Sequence, residues 1–546
     1  MEIHIRRFMQ IKTDVLEPLL EGLRTRLPIL SGFIVFVWMF ARVIYFYNMG
    51  EGELVTVVPD DAFYYIQMAK HRAFEGLWSF DGASPSSGFH FLYGHLLALL
   101  YLIDREISLE ILFLIIGFIA SISIGFAAFY TTSVSENAFG TKSVAFALLP
   151  IFTYSTVFQS TAMMESWLVL LFSSATFFFI FKDGIPSVKE SIWLVSVGAL
   201  GSLSRSDFGL LPGSIFMLFL IGYRISDKNR LKRSVLVLFG AILGVLVVIL
   251  QNFMISGQFA QTSARVKFYW SSLVGHSFLS PIDLLLRIVF PFQIALSKTL
   301  IYATLGIAIV LGVYCALIWF KAEDRRKYFP RSLLFFSGLI CIIGYIIFYK
   351  YNCLGLHIWY SASFIVPMGI VLAGIGRLVF GEKVLIPGLL LLSYFSFTSV
   401  SRTFERNWPH QIGMMNAGIF LKSNFPKDTH AAWNAGIISY FSGLPVVNLD
   451  GLANDEVFPY IKKNTLLDYL KLKKIHYIAD YETMFEDIIL RIRGGYNDNA
   501  FLKCVRPIRN IDGGAKGWQN RPLKLYAVDL NCAETASVAP SKVERK

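Results

Sequence analysis

Two adjacent carboxylates, Asp60 and Asp61, are the residues with the clearest capacity for chemistry. They stand in Pro59-Asp60-Asp61-Ala62-Phe63-Tyr64-Tyr65, shortly after the first long apolar run. A carboxylate at a membrane–water boundary can take a proton from an attacking hydroxyl. A pair can also hold Mg²⁺ or Mn²⁺. The plain alternative is that they cap a surface helix, but a cap needs only one of them. From Asp60 to Lys70 the sequence predicts an amphipathic helix. Phe63, Ile66, Ala69 and Ala73 share one face; Gln67, Lys70, His71 and Glu75 fall on the others. The turn-rich loop ending in Gly88-Phe89-His90 follows.

Other charged groups interrupt apolar sequence further on: Glu165 in Met163-Met164-Glu165-Ser166, and Arg205-Ser206-Asp207. Ionisable residues inside or at the ends of spans mark sites or partner pairs; simple snorkelling to the interface is the alternative. Arg265 and Lys267 lie in a polar turn followed by Phe268-Tyr269-Trp270. Such a segment suits a phosphate at headgroup depth, or an interfacial anchor. His357, in His357-Ile358-Trp359-Tyr360, taken alone reads as an anchor.

What must position these groups is a membrane bundle. The chain has 546 residues, 55% of them hydrophobic, and a mean hydropathy of +0.55. Several windows exceed about 18 residues without a charge, enough to cross a bilayer core. The expected class is a polytopic α-helical membrane protein. Eleven spans are predicted, at 27–48, 108–131, 143–159, 166–181, 190–204, 208–223, 234–255, 299–320, 332–349, 358–376 and 384–400. The net charge of +12 sits largely in short loops and sets topology rather than binding nucleic acid. The loops Arg224–Arg233 and Lys321–Arg331 read as cytoplasmic, as does the N-terminus, a retained signal-anchor. If 89–103 crossed, the Arg224–Arg233 loop would land outside. That apolar run is therefore read as an interfacial helix. Asp60, Asp61, Glu165, Arg205, Asp207, the 256–298 loop, His357 and the C-terminal segment then collect on the extracytoplasmic face.

After about residue 401 the composition turns polar, with strand-like pieces at 431–433, 446–449, 476–479 and 525–528 and helical patterns at 409–423 and 455–472. The domain plan is a transmembrane domain at 1–400 with its acidic motif in the external loop 49–107. A small α/β domain follows at 401–535, and a disordered tail at 536–546. The five cysteines show no metal-ligand spacing. Cys504 and Cys532 stand where two strands could bring them into bonding range; a disulfide and two free thiols are both open. Neither a Walker A motif nor a Rossmann glycine fingerprint is present.

The ordered set Asp60-Asp61-Ala62-Phe63-Tyr64-Tyr65, Gly88-Phe89-His90, Met164-Glu165-Ser166 and Arg205-Ser206-Asp207 resembles the motifs of bacterial GT-C glycosyltransferases. These are integral-membrane enzymes that use polyprenyl-phosphate sugars. Ala432-Trp433-Asn434-Ala435-Gly436 and Pro445-Val446-Val447-Asn448-Leu449-Asp450-Gly451-Leu452 look like one branch of that superfamily. Met163 stands where the family often has Gly. The resemblance implies inverting transfer of a sugar from a polyprenyl phosphate to a hydroxyl of a glycan, lipid or protein, in the cell (inner) membrane among its lipids. It implies Asp60 as base and Asp61 as orienting group or sugar ligand. It also implies Arg205, Arg265 and Lys267 at the phosphate, Glu165 and Asp207 on sugar hydroxyls or holding Arg205, and His90 and His357 among the ligands of the donor's phosphate or sugar. Some members of the wider superfamily depend on a divalent cation and others do not; no cofactor is otherwise expected. The rival class is a lipid or glycan transporter or flippase, for which matched repeats and broken helices are expected; none is seen.

Overall fold

The structure is a computed structural model, and it describes residues 26–221, 228–289, 325–352, 354 and 356–532. The predicted span 299–320, residues 1–25, residues 321–324 of the Lys321–Arg331 loop and the tail lie outside the described residues. The chain forms two compact units. Unit 1 takes its described residues from Met1–Tyr45, Phe113–Val247 and His276–Phe404. Unit 2 takes them from Phe46–Leu112, Val248–Gly275 and Glu405–Lys546. The predicted external loop thus belongs to the same unit as the C-terminal segment.

Unit 1 is helical. Across the described chain five helices are long and apolar enough to cross a membrane: Arg26–Tyr47, Leu109–Phe139, Lys228–Ser256, Ser332–Asn352 and Ile358–Phe380. The protein is an integral membrane protein of polytopic α-helical class with a small C-terminal sheet domain. Ser166–Ile180, Val188–Ser204, Leu210–Ile221 and Leu385–Ser401 are helices of 15, 17, 12 and 17 residues. At about 1.5 Å per residue they fall short of a hydrocarbon core of about 30 Å.

The expected span at 143–159 is not one helix. It breaks into Val144–Leu148 and Tyr154–Gln159. Pro150 has no N–H for the helical ladder. Its carbonyl instead accepts from the hydroxyls of Thr153 at 2.6 Å and Thr156 at 2.9 Å. The helix Val188–Ser204 starts at a capping box: Ser187 accepts from the Glu190 N–H at 3.2 Å, and Glu190 accepts from the Ser187 N–H at 3.2 Å.

Unit 2 is built on a five-stranded sheet. Its strands are β1 (His430–Ala432), β2 (Val446–Asn448), β3 (Tyr477–Tyr481), β4 (Val505–Asn510) and β5 (Leu523–Val528), in the order β2-β1-β3-β5-β4. β1 pairs in parallel with β2 and β3; β5 runs antiparallel to β3 and β4. β4 is an exposed edge that carries Arg506, Pro507 and Arg509 and a register shift between Pro507 and Arg509. Charge, proline and a bulge all blunt an edge against foreign pairing. The predicted helix at 455–472 is two, Phe458–Lys463 and Leu466–Leu472, broken where Asn464 takes φ 55°.

β4 and β5 pair Val505 with Val528, and Cys504 and Cys532 are disulfide-bonded with Cα atoms 5.7 Å apart. The strand pairing on which the bond depended is therefore present.

The helix Asp60–Glu75 is less amphipathic than its sequence pattern. Residues 62–69 are all buried. One side packs on the 13-residue helix Phe91–Ile103 and another on Gly436–Ser442. Gln67, which the helical pattern places on a polar face, is buried and donates to Ser439 Oγ at 2.9 Å. At about 20 Å, Phe91–Ile103 is too short to cross a bilayer.

Candidate functional site

In unit 2 the acidic pair divides its labour. The helix carrying it begins after Pro59, whose fixed φ suits an N-terminus. Gln411 secures that start: its Oε1 accepts from the Asp60 N–H at 3.1 Å, while its Nε2 donates to the carbonyls of Val55 and Val58 at 2.6 and 2.8 Å. Asp60 then reaches across to the helix Gly436–Ser442. Its Oδ1 accepts from the Ile437 N–H at 2.7 Å and its Oδ2 from the Gly436 N–H at 3.3 Å. Gly436 permits this approach. A Cβ there would lie 2.9 Å from Asp60 Oδ1 and collide with the Asp60 carbonyl.

Asp60 is 7% exposed. Burial pushes its carboxyl up to about 7; the two backbone N–H groups pull it down, and the neighbouring Asp61 charge pushes it up again.

Asp61 is different. It is part-exposed and takes no hydrogen bond from any described residue. Around it, Tyr64 donates to Asp450 Oδ2 at 2.9 Å and is met by Asn448 Nδ2 at 3.2 Å. Asp450 also accepts from the Leu452 N–H at 2.6 Å. Burial pushes Asp450 up to about 8 and Asp480 up to about 7. Asp480 accepts from the Trp433 N–H at 3.0 Å and the Tyr496 hydroxyl at 2.5 Å. Arg493 completes the group. Its guanidinium lies 4.3 Å from the Trp270 ring centre and 5.3 Å from that of Trp433, and it feels the charges of Asp450, Asp487 and Asp61.

Unit 1 holds the second set. Arg205 is 2% exposed. It donates to Asp207 through Nε at 3.1 Å and Nη2 at 2.6 Å, and through Nη2 to the Tyr349 hydroxyl. Glu165 lies 3.8 Å from its Nε, and the Tyr360 ring centre is 4.8 Å from the guanidinium carbon. The expected grouping of Glu165, Arg205 and Asp207 is thus present. Its Nη1 is buried with no hydrogen-bond partner. Met163, two residues before Glu165, has φ 49°. That is the left-handed region that glycine enters freely and a methionine at a cost of about 1–2 kcal/mol.

The remaining expected residues are scattered. Arg265 pairs with Asp455, which also accepts from the Thr262 hydroxyl. Lys267 sits on the same helix, Thr262–Leu273. His90 precedes Phe91–Ile103 and faces the Tyr65 ring at 6.3 Å. His357 is exposed and stacks on Trp359 at 4.4 Å.

Among the described residues no group of three or more His, Cys, Asp and Glu side chains could hold an ion, and Asp60 gives its oxygens to backbone amides.

Asp480 and Arg493 were missed by sequence reasoning, and Trp270 was read only as part of the aromatic cluster that follows Lys267. Each is an ordinary residue type without a spacing signal. The Asp450 segment was quoted only as a family likeness.

A family model described as Domain of unknown function (DUF8728) matches residues 404–540. No curated protein matches. Solved structures similar to this chain include three that bind ions, lipid phosphates or peptide. The Archaeoglobus fulgidus oligosaccharyltransferase, in complex with Zn and sulfate, is 13% identical, covering 82% of this chain and 68% of its own, with a TM-score of 0.50. The oligosaccharyltransferase AglB from Archaeoglobus fulgidus, with an inhibitory peptide and a dolichol-phosphate, is 11% identical, covering 86% and 72%, at 0.52. ArnT from Cupriavidus metallidurans, bound to undecaprenyl phosphate, is 10% identical, covering 93% and 99%, at 0.53. With helical spans, the buried Glu165–Arg205–Asp207 group and a mixed-sheet unit carrying Asp60 and Asp61, this chain has the GT-C fold.

Proposed function

We propose that the protein is a membrane glycosyltransferase that moves a sugar from a polyprenyl phosphate to an acceptor hydroxyl, with inversion. The observation that carries this reading is the state of Asp61: a part-exposed carboxylate that takes no hydrogen bond from any described residue, beside one whose two oxygens each accept from a backbone N–H. A general base needs open lone pairs within reach of a hydroxyl. The proposal therefore gives Asp61 the role of base and Asp60 that of a positioning residue, the reverse of the expectation from sequence. Separately, within unit 1, Arg205 Nη1 is a buried donor without a hydrogen-bond partner and suits a phosphate oxygen. Glu165 and Asp207 hold that guanidinium in place.

Lipid phosphates bound by two of the similar structures, dolichol-phosphate and undecaprenyl phosphate, favour the same donor class here. The Cys504–Cys532 bond favours an extracytoplasmic position for unit 2, where disulfides persist. No step is assigned to a divalent cation.

Purified protein in liposomes, given polyprenyl-phosphate-linked arabinose, mannose or glucose with a glycan acceptor extract, tests the reading. Release of free polyprenyl phosphate from at least one donor, seen by mass spectrometry, is expected. Movement of intact donor across the bilayer with no release would favour a transporter.

A further inference from the structure

Arg493 sits on the short helix Ile488–Gly494, which Asp487 starts by accepting from the N–H groups of Ile489 and Leu490 at 2.8 and 3.0 Å. Its backbone carbonyl accepts from Trp270 Nε1 at 3.1 Å. The Trp270 and Trp433 rings lie 5.7 Å apart at 25° to each other, and the guanidinium covers both. Cation–π contact holds a guanidinium flat but leaves its in-plane N–H groups free. No described carboxylate forms an ion pair with Arg493, and its Nε is buried with no hydrogen-bond partner.

A second donor is stranded beside it. Trp433 is 6% exposed, and its Nε1 has no partner either. Buried donors without acceptors are costly, so two on neighbouring side chains call for a shared acceptor. The space over them is kept by Gly494. A Cβ there would lie 2.9 Å from Trp433 Nε1. Burial lowers Arg493 to about 10, so it stays cationic at neutral pH.

We propose that Arg493 Nε, Trp433 Nε1 and the notch over Gly494 form a subsite for an oxyanion, a phosphoryl or carboxylate group of a substrate. This rests on the transferase reading only for the source of the anion: the donor's phosphate, or an acidic group on the acceptor. Its geometry stands without it.

The test is equilibrium binding to the full-length protein in detergent, by microscale thermophoresis, with farnesyl phosphate as the lipid-phosphate probe and methyl glucuronoside as the acidic-sugar probe. The variants are R493M, W433F and G494A; W433F keeps a ring under the guanidinium and removes only the donor edge. Saturable binding of at least one probe is expected. R493M should weaken it tenfold or more, and W433F and G494A threefold or more. Loss for farnesyl phosphate alone assigns the donor, and loss for methyl glucuronoside alone assigns the acceptor. Binding of neither probe by the wild-type protein, or unchanged binding in W433F and G494A, overturns the subsite, whether or not R493M folds. Transfer by D61N is measured in parallel. Wild-type transfer by D61N with anion binding weakened in W433F and G494A fails the base reading and leaves the subsite standing; lost transfer by D61N with anion binding unchanged in W433F and G494A does the reverse.

Discussion

Asp60 Oδ1 accepts a hydrogen bond from the backbone N–H of Ile437, 377 residues further along the chain, at 2.7 Å. The first acidic residue of the Asp-Asp pair is thus a helix cap for the C-terminal segment, and the pair's second member keeps its lone pairs. A cap's oxygen satisfies an orphan N–H at the start of a helix, worth about 1 kcal/mol. Here it also fixes the direction in which the neighbouring residue points.

G436A tests that contact. The added methyl meets the Asp60 carbonyl, Asp60 Oδ1 at 2.9 Å and the Tyr64 ring at 3.0 Å. Overpacking of this kind costs about 1–3 kcal/mol. Unit 2 should melt several degrees lower, and transfer should fall because Asp61 shifts with its neighbour. An unchanged melting temperature and rate would remove Asp60 from its positioning role.

The buried acids give unit 2 a pH dependence. Asp60, Asp450 and Asp480 are raised from the usual carboxylate range to about 7, 8 and 7 by burial. The folded state therefore holds protons that the unfolded state releases near pH 4. The stability from this source is complete below about pH 4 and is lost as pH rises through about 7–8. The melting temperature of unit 2 should fall between pH 6 and pH 9. D450N, which cannot ionise, should remove the part of the fall that runs from about pH 4 up to about pH 8, where it levels off. A melting temperature that rises across this interval contradicts the assignment.

The disulfide is a separate support. Cys504 and Cys532 close a loop over a sequence separation of 28, worth about 3 kcal/mol in the chain-entropy model. C504S with C532S should lower the melting temperature of unit 2 while Asp207 and Arg205 in unit 1 remain paired. Reduction by dithiothreitol should reproduce the shift in the wild-type protein and do nothing in the double variant.

Much of this was legible in the sequence, and the illegible part has a common cause. The helix from Asp60, the strands near 431, 446, 477 and 525 and the Glu165, Arg205 and Asp207 group follow from periodicity and from charges in apolar surroundings. The cap from Asp60 to Ile437, the pairing of Arg265 with Asp455 and the seat of Arg493 join segments hundreds of residues apart, where no period or spacing records the contact. The break at Pro150 was signalled by the proline and overlooked because the apolar run continued through it. Gln67 reads as a surface residue from its type; its burial depends on Ser439, which the helix pattern around it does not reveal.

The role of Asp61 is open to one direct measurement. Membrane vesicles with equal amounts of wild-type, D61N and D60N protein are supplied with radiolabelled polyprenyl-phosphate sugar, and label reaching the acceptor is counted over time. A general base contributes about 10²–10⁴-fold, so D61N should transfer at least about 100-fold more slowly than wild type while melting at the same temperature. D60N, whose amide oxygen still accepts from the Ile437 N–H, should keep the larger share of activity. Transfer by D61N at the wild-type rate, or a complete loss in D60N with D61N active, would contradict the assignment of Asp61 as the base.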